Sequence, residues 1–373
     1  MSFHLMRLIL EVSLSLHFYI RLRVAFGVGN WQPLVIIWLL LMLAPLFFQE
    51  WISKAPPELH NFMAQAWPLW VGFLILFTVV CLGLDLARLG VGLAGLAADK
   101  PWWGLLAAKR AVPAALILTL AVSGYAYYSA YHPRLVRVEF STTKLPAGVD
   151  RLRIVQLTDV HLSRLITLKN LEVMAELVRE AKPDLLVVTG DLVDADMRGR
   201  SAEAALLASL KPSYGAYGVF GNHELYTGED SARDFYHRAG IRLLRGEAAE
   251  TGGLIVAGMD DEVFGGRRDL TPPPKLLRRF DRDSRFVLFL KHRPTMAPGT
   301  AGLFDLQLSG HTHGGQIWPG HLIIKKVNGV LHGLHYDGQS RSAVYTSRGA
   351  GFWGLPMRFL APPEVTLIEL TRP

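Results

Sequence analysis

The pattern of apolar and charged positions divides the chain into two parts. Among the first 134 residues, three windows hold no Asp, Glu, Lys or Arg: between Arg23 and Glu50, between Glu58 and Asp85, and between Arg110 and Arg134. Each is long enough to cross roughly 30 Å of hydrocarbon as a helix. Membrane helices are therefore predicted at about 31–50, 66–86 and 111–131. Trp51, Trp67, Trp70, Trp102, Trp103, Tyr125 and Tyr128 stand at their ends, and such amphipathic rings suit the boundary between lipid and water. An earlier segment, about 5–26, is apolar but is interrupted by Arg7 and Glu11 and closed by Arg21 and Arg23. It either spans as a fourth helix or lies flat at the interface. Glu11 within its apolar stretch, with no small-x-small cleavage site, argues against a cleaved leader.

From about Val136 the pattern is that of a soluble α/β domain, so the expected organisation is a membrane region over 1–135 and a second domain over 136–373. Short β-branched or apolar runs, Arg153–Thr158, Leu185–Thr189, Tyr217–Phe220, Phe286–Leu290 and Leu306–Ser309, read as buried strands. Helical periodicity over Leu168–Ala181 and Ala202–Leu210 separates the early ones.

Composition agrees with that division. Half of the 373 residues are hydrophobic and only 19% are charged, and the single cysteine, Cys81, excludes an intrachain disulfide or a zinc-thiolate cluster. The net charge of +7 carries little information about nucleic acid, because residues 1–147 hold 11 Lys/Arg against 6 Asp/Glu and the remaining 226 hold 28 against 26. A domain so nearly neutral is no polyanion-binding surface, and nucleic acid is not an expected partner. Arg21 and Arg23, and then Arg88, Lys100, Lys109 and Arg110, fall in loops on one face, whereas the loop on the other face has only Lys54. The positive-inside bias then predicts a multi-pass protein of the cell membrane whose C-terminal domain is extracytoplasmic, although Arg134, Arg137 and Lys144 pull the other way.

Each predicted strand ends in polar residues: Asp159-Val160-His161, Gly190-Asp191, Gly221-Asn222-His223-Glu224, Lys291-His292 and Gly310-His311-Thr312-His313. Alone, each is an ordinary turn or helix cap. Together they deliver carboxylates, an amide and imidazoles to the edge where open α/β sheets build their sites. This is nearly a full ligand set for two metals with a shared carboxylate.

The ordered series resembles the calcineurin-like metallophosphoesterases. The run G-H-T-H-G-G-Q-I-W-P from Gly310 and the later S-R-G-A-G-F-W-G-L-P-M-R-F resemble the bacterial membrane-anchored branch. The resemblance covers about Gly148 to Thr371. It implies an αββα sandwich, two mixed sheets flanked by helices, preceded here by the transmembrane helical region. It further implies that Asp159, His161, Asp191 and His313 hold one divalent metal ion (Mn, Fe or Zn) and that Asp191, Asn222, His292 and His311 hold a second. His223 is then the catalytic histidine rather than a ligand. The implied activity is hydrolysis of a phosphate-containing substrate, free or lipid-linked, by metal-bridging hydroxide, most simply as a phosphodiesterase or pyrophosphatase acting on a membrane or envelope compound beside the lipid bilayer.

Some positions keep two readings. Lys291 and Arg293, around His292, are either extra phosphate contacts or solvated loop cations. Asp194 and Glu224 either orient imidazoles or are turn acids. Arg348 and Arg358 are candidate substrate contacts beside an apolar loop that includes Phe352 and Trp353, and the basic stretch Arg267 to Arg282 either meets anionic lipid or is a solvated face. His332 and His335 match no ligand spacing. Two other functions stand beside the hydrolase: a catalytically silent membrane sensor or scaffold, and a cytoplasmic-facing pyrophosphatase resembling those acting on UDP-diacylglucosamine. The oligomeric state is not legible.

Overall fold

The computed structural model describes residues 3–27, 29, 31–47, 56–97, 108–262 and 271–373. Glu50, Trp51, Lys54, Lys100, Trp102, Trp103, Arg267 and Arg268, on which parts of the expectations above rest, lie outside these residues. The chain divides into two compact units, Met1–Tyr128 with Gly354–Met357, and Ser129–Trp353 with Arg358–Pro373.

In the first unit the described helices are α1 (Phe3–Phe26), α2 (Gln32–Phe47), α3 (Pro57–Ala97) and α4 (Ala108–Ala130). Phe18 of α1 meets Trp70, Phe73 and Phe77 of α3 edge-on, with ring centroids 5.3, 6.0 and 5.0 Å apart. Leu34, Leu86, Ile117 and Leu120 point outward, the reverse of a soluble bundle and the arrangement lipid demands. Among the described residues, α3 and α4 are long and apolar enough to cross a membrane, over Phe62–Ala97 and Lys109–Ala130. The described part of α2 is 16 residues, about 24 Å at 1.5 Å per residue, so the span expected at 31–50 is described only in part. Three of the four charges that left the first segment ambiguous are paired: Glu11 is buried and accepts from Arg7 at 3.0 Å, and Arg21 donates to Asp85 at 3.1 Å, while Arg23 is exposed. The span expected at 66–86 is the middle of a much longer helix. No proline interrupts Leu86–Ala97, so the helix continues and Arg88 lies on it rather than in a loop.

The second unit is built on two six-stranded sheets. The first contains β1 (Arg134–Ser141), β2 (Arg151–Leu157), β3 (Leu185–Thr189), β4 (Ala216–Val219), β5 (Ile241–Leu243) and β12 (Glu364–Thr371), in the order β1-β12-β2-β3-β4-β5. The second contains β6 (Glu247–Thr251), β7 (Leu254–Met259), β8 (Val287–Lys291), β9 (Leu306–Ser309), β10 (Gly333–Tyr336) and β11 (Ala343–Thr346), in the order β10-β11-β9-β8-β7-β6. Both are mixed: β2 to β5 and β7 to β9 run parallel to their neighbours, while β12 meets β2, and β6 meets β7, antiparallel.

Alternation along the strands generates the layers. Leu152 and Ile154 of β2 join Val187, Leu288, Leu290 and Ile368 between the sheets, while Val155 and Leu157 turn the other way to Leu171, Met174 and Val178 of α5 (Leu168–Ala181). On the far side, Ile255, Val287 and Phe289 pack on Leu276 and Leu277 of the short helix α9 (Pro273–Leu277). Three further helices, α6 (Ser201–Ala208), α7 (Asn222–Thr227) and α8 (Glu229–Arg238), follow β3 and β4. The result is the αββα sandwich, in which the inner strands β3, β7, β8 and β9 are buried along their whole length and the edge strands β1, β5, β6 and β10 are partly exposed.

Candidate metal centre

The polar strand ends meet at one edge of the sandwich. Asp159 and His161 follow β2, Asp191 follows β3, Asn222 and His223 open α7 after β4, His292 follows β8, and His311 and His313 follow β9. Five of them have left-handed backbones: Asp159 (φ 52°), His161 (54°), Asp191 (50°), His311 (71°) and His313 (50°). Such conformations cost on the order of 1–3 kcal/mol each and persist where the surroundings over-determine them; Asp and His are among the few non-glycine residues that adopt them readily. Close approach also dictates two glycines. A Cβ at Gly310 would sit 2.0 Å from Asp159 Oδ2, and one at Gly221 would sit 2.2 Å from Asp191 Oδ1.

Ligating atoms gather into adjoining groups. Asp159, His161 and His313 form one, and Asp191, His292 and His311 another, the candidate donor atoms of each lying within 4.8 Å of one another. In the first, the Nε2 atoms of His161 and His313 face each other at 3.1 Å, with Asp159 Oδ1 3.3 Å from the latter. In the second, His311 Nδ1 lies 3.3 Å from His292 Nε2. Asp191 joins them through one oxygen, Oδ2, which is 3.1 Å from His292 Nε2 and 3.8 Å from His161 Nε2. Its other oxygen accepts the backbone N–H of His223 at 2.9 Å. Asn222 Oδ1 is buried without a hydrogen-bond partner. An orphaned acceptor among converging imidazole lone pairs and carboxylates fits divalent cations, and a donor set of oxygen and imidazole without thiolate suits Mn, Fe or Zn.

The electrostatics express the same crowding. Burial opposes ionisation of Asp191, but His292, His161 and His223 hold its carboxyl well below the usual range. Burial depresses His292, yet Asp191, Asp159 and Asp261 outweigh it and the imidazole is pushed up to about 10. His311 falls to about 3 through burial and the positive neighbours His292 and Arg293. His313 is driven well below its ordinary value by burial and then by Arg358, which keeps it neutral, as a ligand must be.

The supporting side chains resolve the open readings. Asp194 Oδ1 lies 2.6 Å from His223 Nδ1, so it orients an imidazole. Glu224 does not: its buried carboxylate accepts from the backbone N–H groups of Asp191, Leu192 and Gly221 at 3.0, 2.7 and 2.7 Å and from the Tyr236 hydroxyl at 3.2 Å, tying the β3 loop to α7. Lys291 is buried and Arg293 only partly exposed, and both are paired. Lys291 Nζ is buried against the carbonyls of Arg293 and Thr295 and pairs with Glu262 at 2.9 Å, and Arg293 pairs with Asp261 at 2.8 Å. Arg358, expected to contact substrate, is fully buried. It donates to the carbonyls of Gly351, His313 and Arg348, and Nη2 lies 3.0 Å from His313 Nδ1, so it positions a candidate ligand instead. Arg348 is partly exposed but its guanidinium is paired with buried Glu364. His332 belongs to neither group and lines a small cavity with Gly314, Trp318, His321 and Phe359.

Two contributors, Thr158 and Tyr226, carried no clear sequence signal, whereas Trp353 stood out as part of the apolar loop. Thr158 donates to Asp159 Oδ2 at 2.8 Å; its place just before the D-x-H pair was the only clue. Trp353 and Tyr226 flank His223 edge-on, with centroids 5.9 and 5.3 Å away.

The sequence model of the family described as calcineurin-like phosphoesterase matches residues 152–315. An uncharacterized metallophosphoesterase of Aquifex aeolicus is 34% identical over 259 residues, which are 68% of this chain and 98% of that one. A transmembrane protein with metallophosphoesterase domain from Bos taurus is 28% identical over 365 residues, 91% of this chain and 80% of that one. Among solved structures, a dimetal phosphatase from Danio rerio (TM-score 0.36, 13% identity) aligns with 54% of this chain and 88% of its own. For a 5'-nucleotidase precursor from Thermus thermophilus (TM-score 0.38, 13% identity) the shares are 60% and 54%, so this chain spans about half of it. With the strand-end residues gathered as they are, the chain belongs to the metallophosphoesterases, the calcineurin-like phosphoesterase family, and carries ahead of that domain two helices long and apolar enough to cross a membrane.

Proposed function

We propose that this protein is a membrane-anchored, two-metal phosphohydrolase that cleaves a phosphodiester or pyrophosphate of a membrane-derived or envelope compound. The observation that carries the reading is the position of Asp191 Oδ2 between the two imidazole groups, 3.1 Å from His292 and 3.8 Å from His161. A carboxylate there offsets the repulsion between neighbouring cations. Asp159, His161, Asp191 and His313 would hold one, and Asp191, Asn222, His292 and His311 the other. Bound there, the cations would supply Lewis acidity, drawing charge off phosphoryl oxygens and acidifying water.

The chain's own proton chemistry falls to His223. With Nδ1 engaged by Asp194, Nε2 is the nitrogen left to protonate the departing oxygen. The rings of Tyr226 and Trp353, each exposed on its outer side, offer apolar walls beside it. Arg21, Arg23, Lys109 and Arg110 support an extracytoplasmic catalytic unit through the positive-inside bias.

Purified full-length protein supplied with Mn²⁺ is expected to hydrolyse bis-p-nitrophenyl phosphate. A panel of lipid and nucleotide-sugar phosphates then identifies the substrate class, and a C-terminal reporter fusion reads the membrane side. Turnover that survives chelation would remove the proposal. A reporter active only in the cytoplasm would reverse the sidedness and favour a UDP-diacylglucosamine-type pyrophosphatase.

A further inference from the structure

Beyond the metal centre, the second unit has an apolar surface that its own core does not use. Helix α10 (Gly320–Asn328) buries none of its residues. Leu322, Ile323 and Val327 are 62%, 68% and 74% exposed, and Trp318 before the helix and Leu360 across the adjoining cavity add 41% and 67%. At about 100° per residue, Leu322, Lys326, Ile323 and Val327 fall in that order across about 140° of the helix surface, with Ile323 and Val327 a neighbouring i, i+4 pair, so the apolar side chains share one broad face with Lys326 within it and Lys325 at its flank. The cavity beside it, about 170 Å³, is lined by Trp318, His321, Leu331, Phe359 and Leu360 among others. A soluble surface rarely shows so contiguous an apolar patch without a partner.

Charge selects the partner. From Leu306 to Tyr336 the sequence contains no Asp or Glu, and neither lysine of α10 has an ion-pair partner among the described residues. An exposed helix with Leu, Ile and Val on one side, lysines beside them and a tryptophan at its start matches the composition that binds in the interfacial region of anionic bilayers. The same chain carries membrane helices, so such a bilayer is always at hand. We propose that α10, with Trp318 and Leu360, is a second membrane contact that lies in the headgroup region of an anionic leaflet. Its mechanical link to the metal centre is short. Gly315, two residues after His313, packs so closely on α10 that a Cβ there would meet His321 Cα at 2.4 Å. Docking of α10 therefore fixes the His313 loop against the lipid surface and favours substrates presented from the bilayer over those in solution.

This inference rests on the membrane reading of the N-terminal helices but not on catalysis, and the experiment separates the two. Full-length protein carrying Cys81→Ser and an environment-sensitive fluorophore at Val327→Cys is placed in nanodiscs of phosphatidylcholine and phosphatidylglycerol that contain a doxyl-lipid quencher. A second preparation is labelled at Leu120→Cys on α4. Quenching at both positions is expected, with that at Val327 shallower and, in Lys325→Glu/Lys326→Glu, reduced by about fivefold or more. Turnover of soluble bis-p-nitrophenyl phosphate and the thermal midpoint should be unchanged in the double variant, showing the fold intact. Quenching at Leu120 with none at Val327 would overturn the proposal, as would a blue-shifted, unquenched Val327 label with cross-linking between copies, which would make the patch a dimer face. Loss of quenching at Leu120 as well would sink the membrane reading itself.

Discussion

Nδ1 of His223 lies 2.6 Å from Oδ1 of Asp194. Burial pushes this imidazole down, but Asp194 and then the charges of Asp191 and Glu224 raise it above its ordinary value. If His223 protonates the leaving oxygen, the imidazolium is the active form, and kcat/KM falls as pH rises through its pKa. Asp194→Asn removes a charge that raises that pKa, so the alkaline limb moves to lower pH. Turnover should drop by roughly 10²-fold with a smaller change in KM. A pH–rate profile on bis-p-nitrophenyl phosphate decides it, and an alkaline limb that stays in place refutes the role.

Asp191 has one oxygen on a backbone N–H and the other between two imidazole groups. Asp191→Asn keeps the shape but removes the shared charge, and kcat/KM should fall by roughly 10³-fold or more. Asn222→Ala removes the orphaned buried acceptor and should reduce metal content and activity together. Metal analysis beside the kinetics makes the distinction: full turnover in either variant contradicts the proposed mechanism.

The metal-free protein should release protons when it is loaded. His292, at about 10, carries a proton at about pH 7.5, and a cation binds only the neutral ring. Affinity for Mn²⁺ therefore rises with pH until the imidazole is neutral without help, near its pKa. Calorimetric titration in buffers of different ionisation enthalpy measures the release, and heats independent of buffer would contradict it.

Glu224 holds four backbone N–H groups on its carboxylate, those of Asp191, Leu192, Val193 and Gly221. Glu224→Ala leaves those donors buried and unpaired, a loss of about 3 kcal/mol or more. Tyr236→Phe removes one hydroxyl donor and should cost about 1 kcal/mol. Thermal midpoints of the two variants should rank in that order, and equal midpoints would show that Glu224 is not the clamp described.

Much of this was legible in the linear pattern because burial writes itself into sequence. Strands covered on both faces show as short apolar runs, and β3 and β9 begin and end where those runs do, at Leu185–Thr189 and Leu306–Ser309. Strand β12 has its own apolar pattern, but its position between β1 and β2 depends on pairing across more than 200 residues, which periodicity does not encode. Arg358 misled for a similar reason. An arginine beside an apolar loop reads as a substrate contact, yet the backbone carbonyls of His313, Arg348, Gly349 and Gly351 enclose it. The extension of α3 past Asp85 was missed because charge marked the end of the membrane window, while a helix stops only where hydrogen bonding or a proline stops it.

The left-handed main chain at Asp159, His161, Asp191, His311 and His313 also limits how this centre can diverge. Replacing one of these donors by a bulkier or β-branched coordinating residue would have to overcome the torsional preference of the loop as well as the taste of the ion. Adaptation to a different metal is thus channelled toward neighbours that leave those torsions alone, and transplanting the constellation into another scaffold would succeed only if the receiving loops already bend in the same unusual sense.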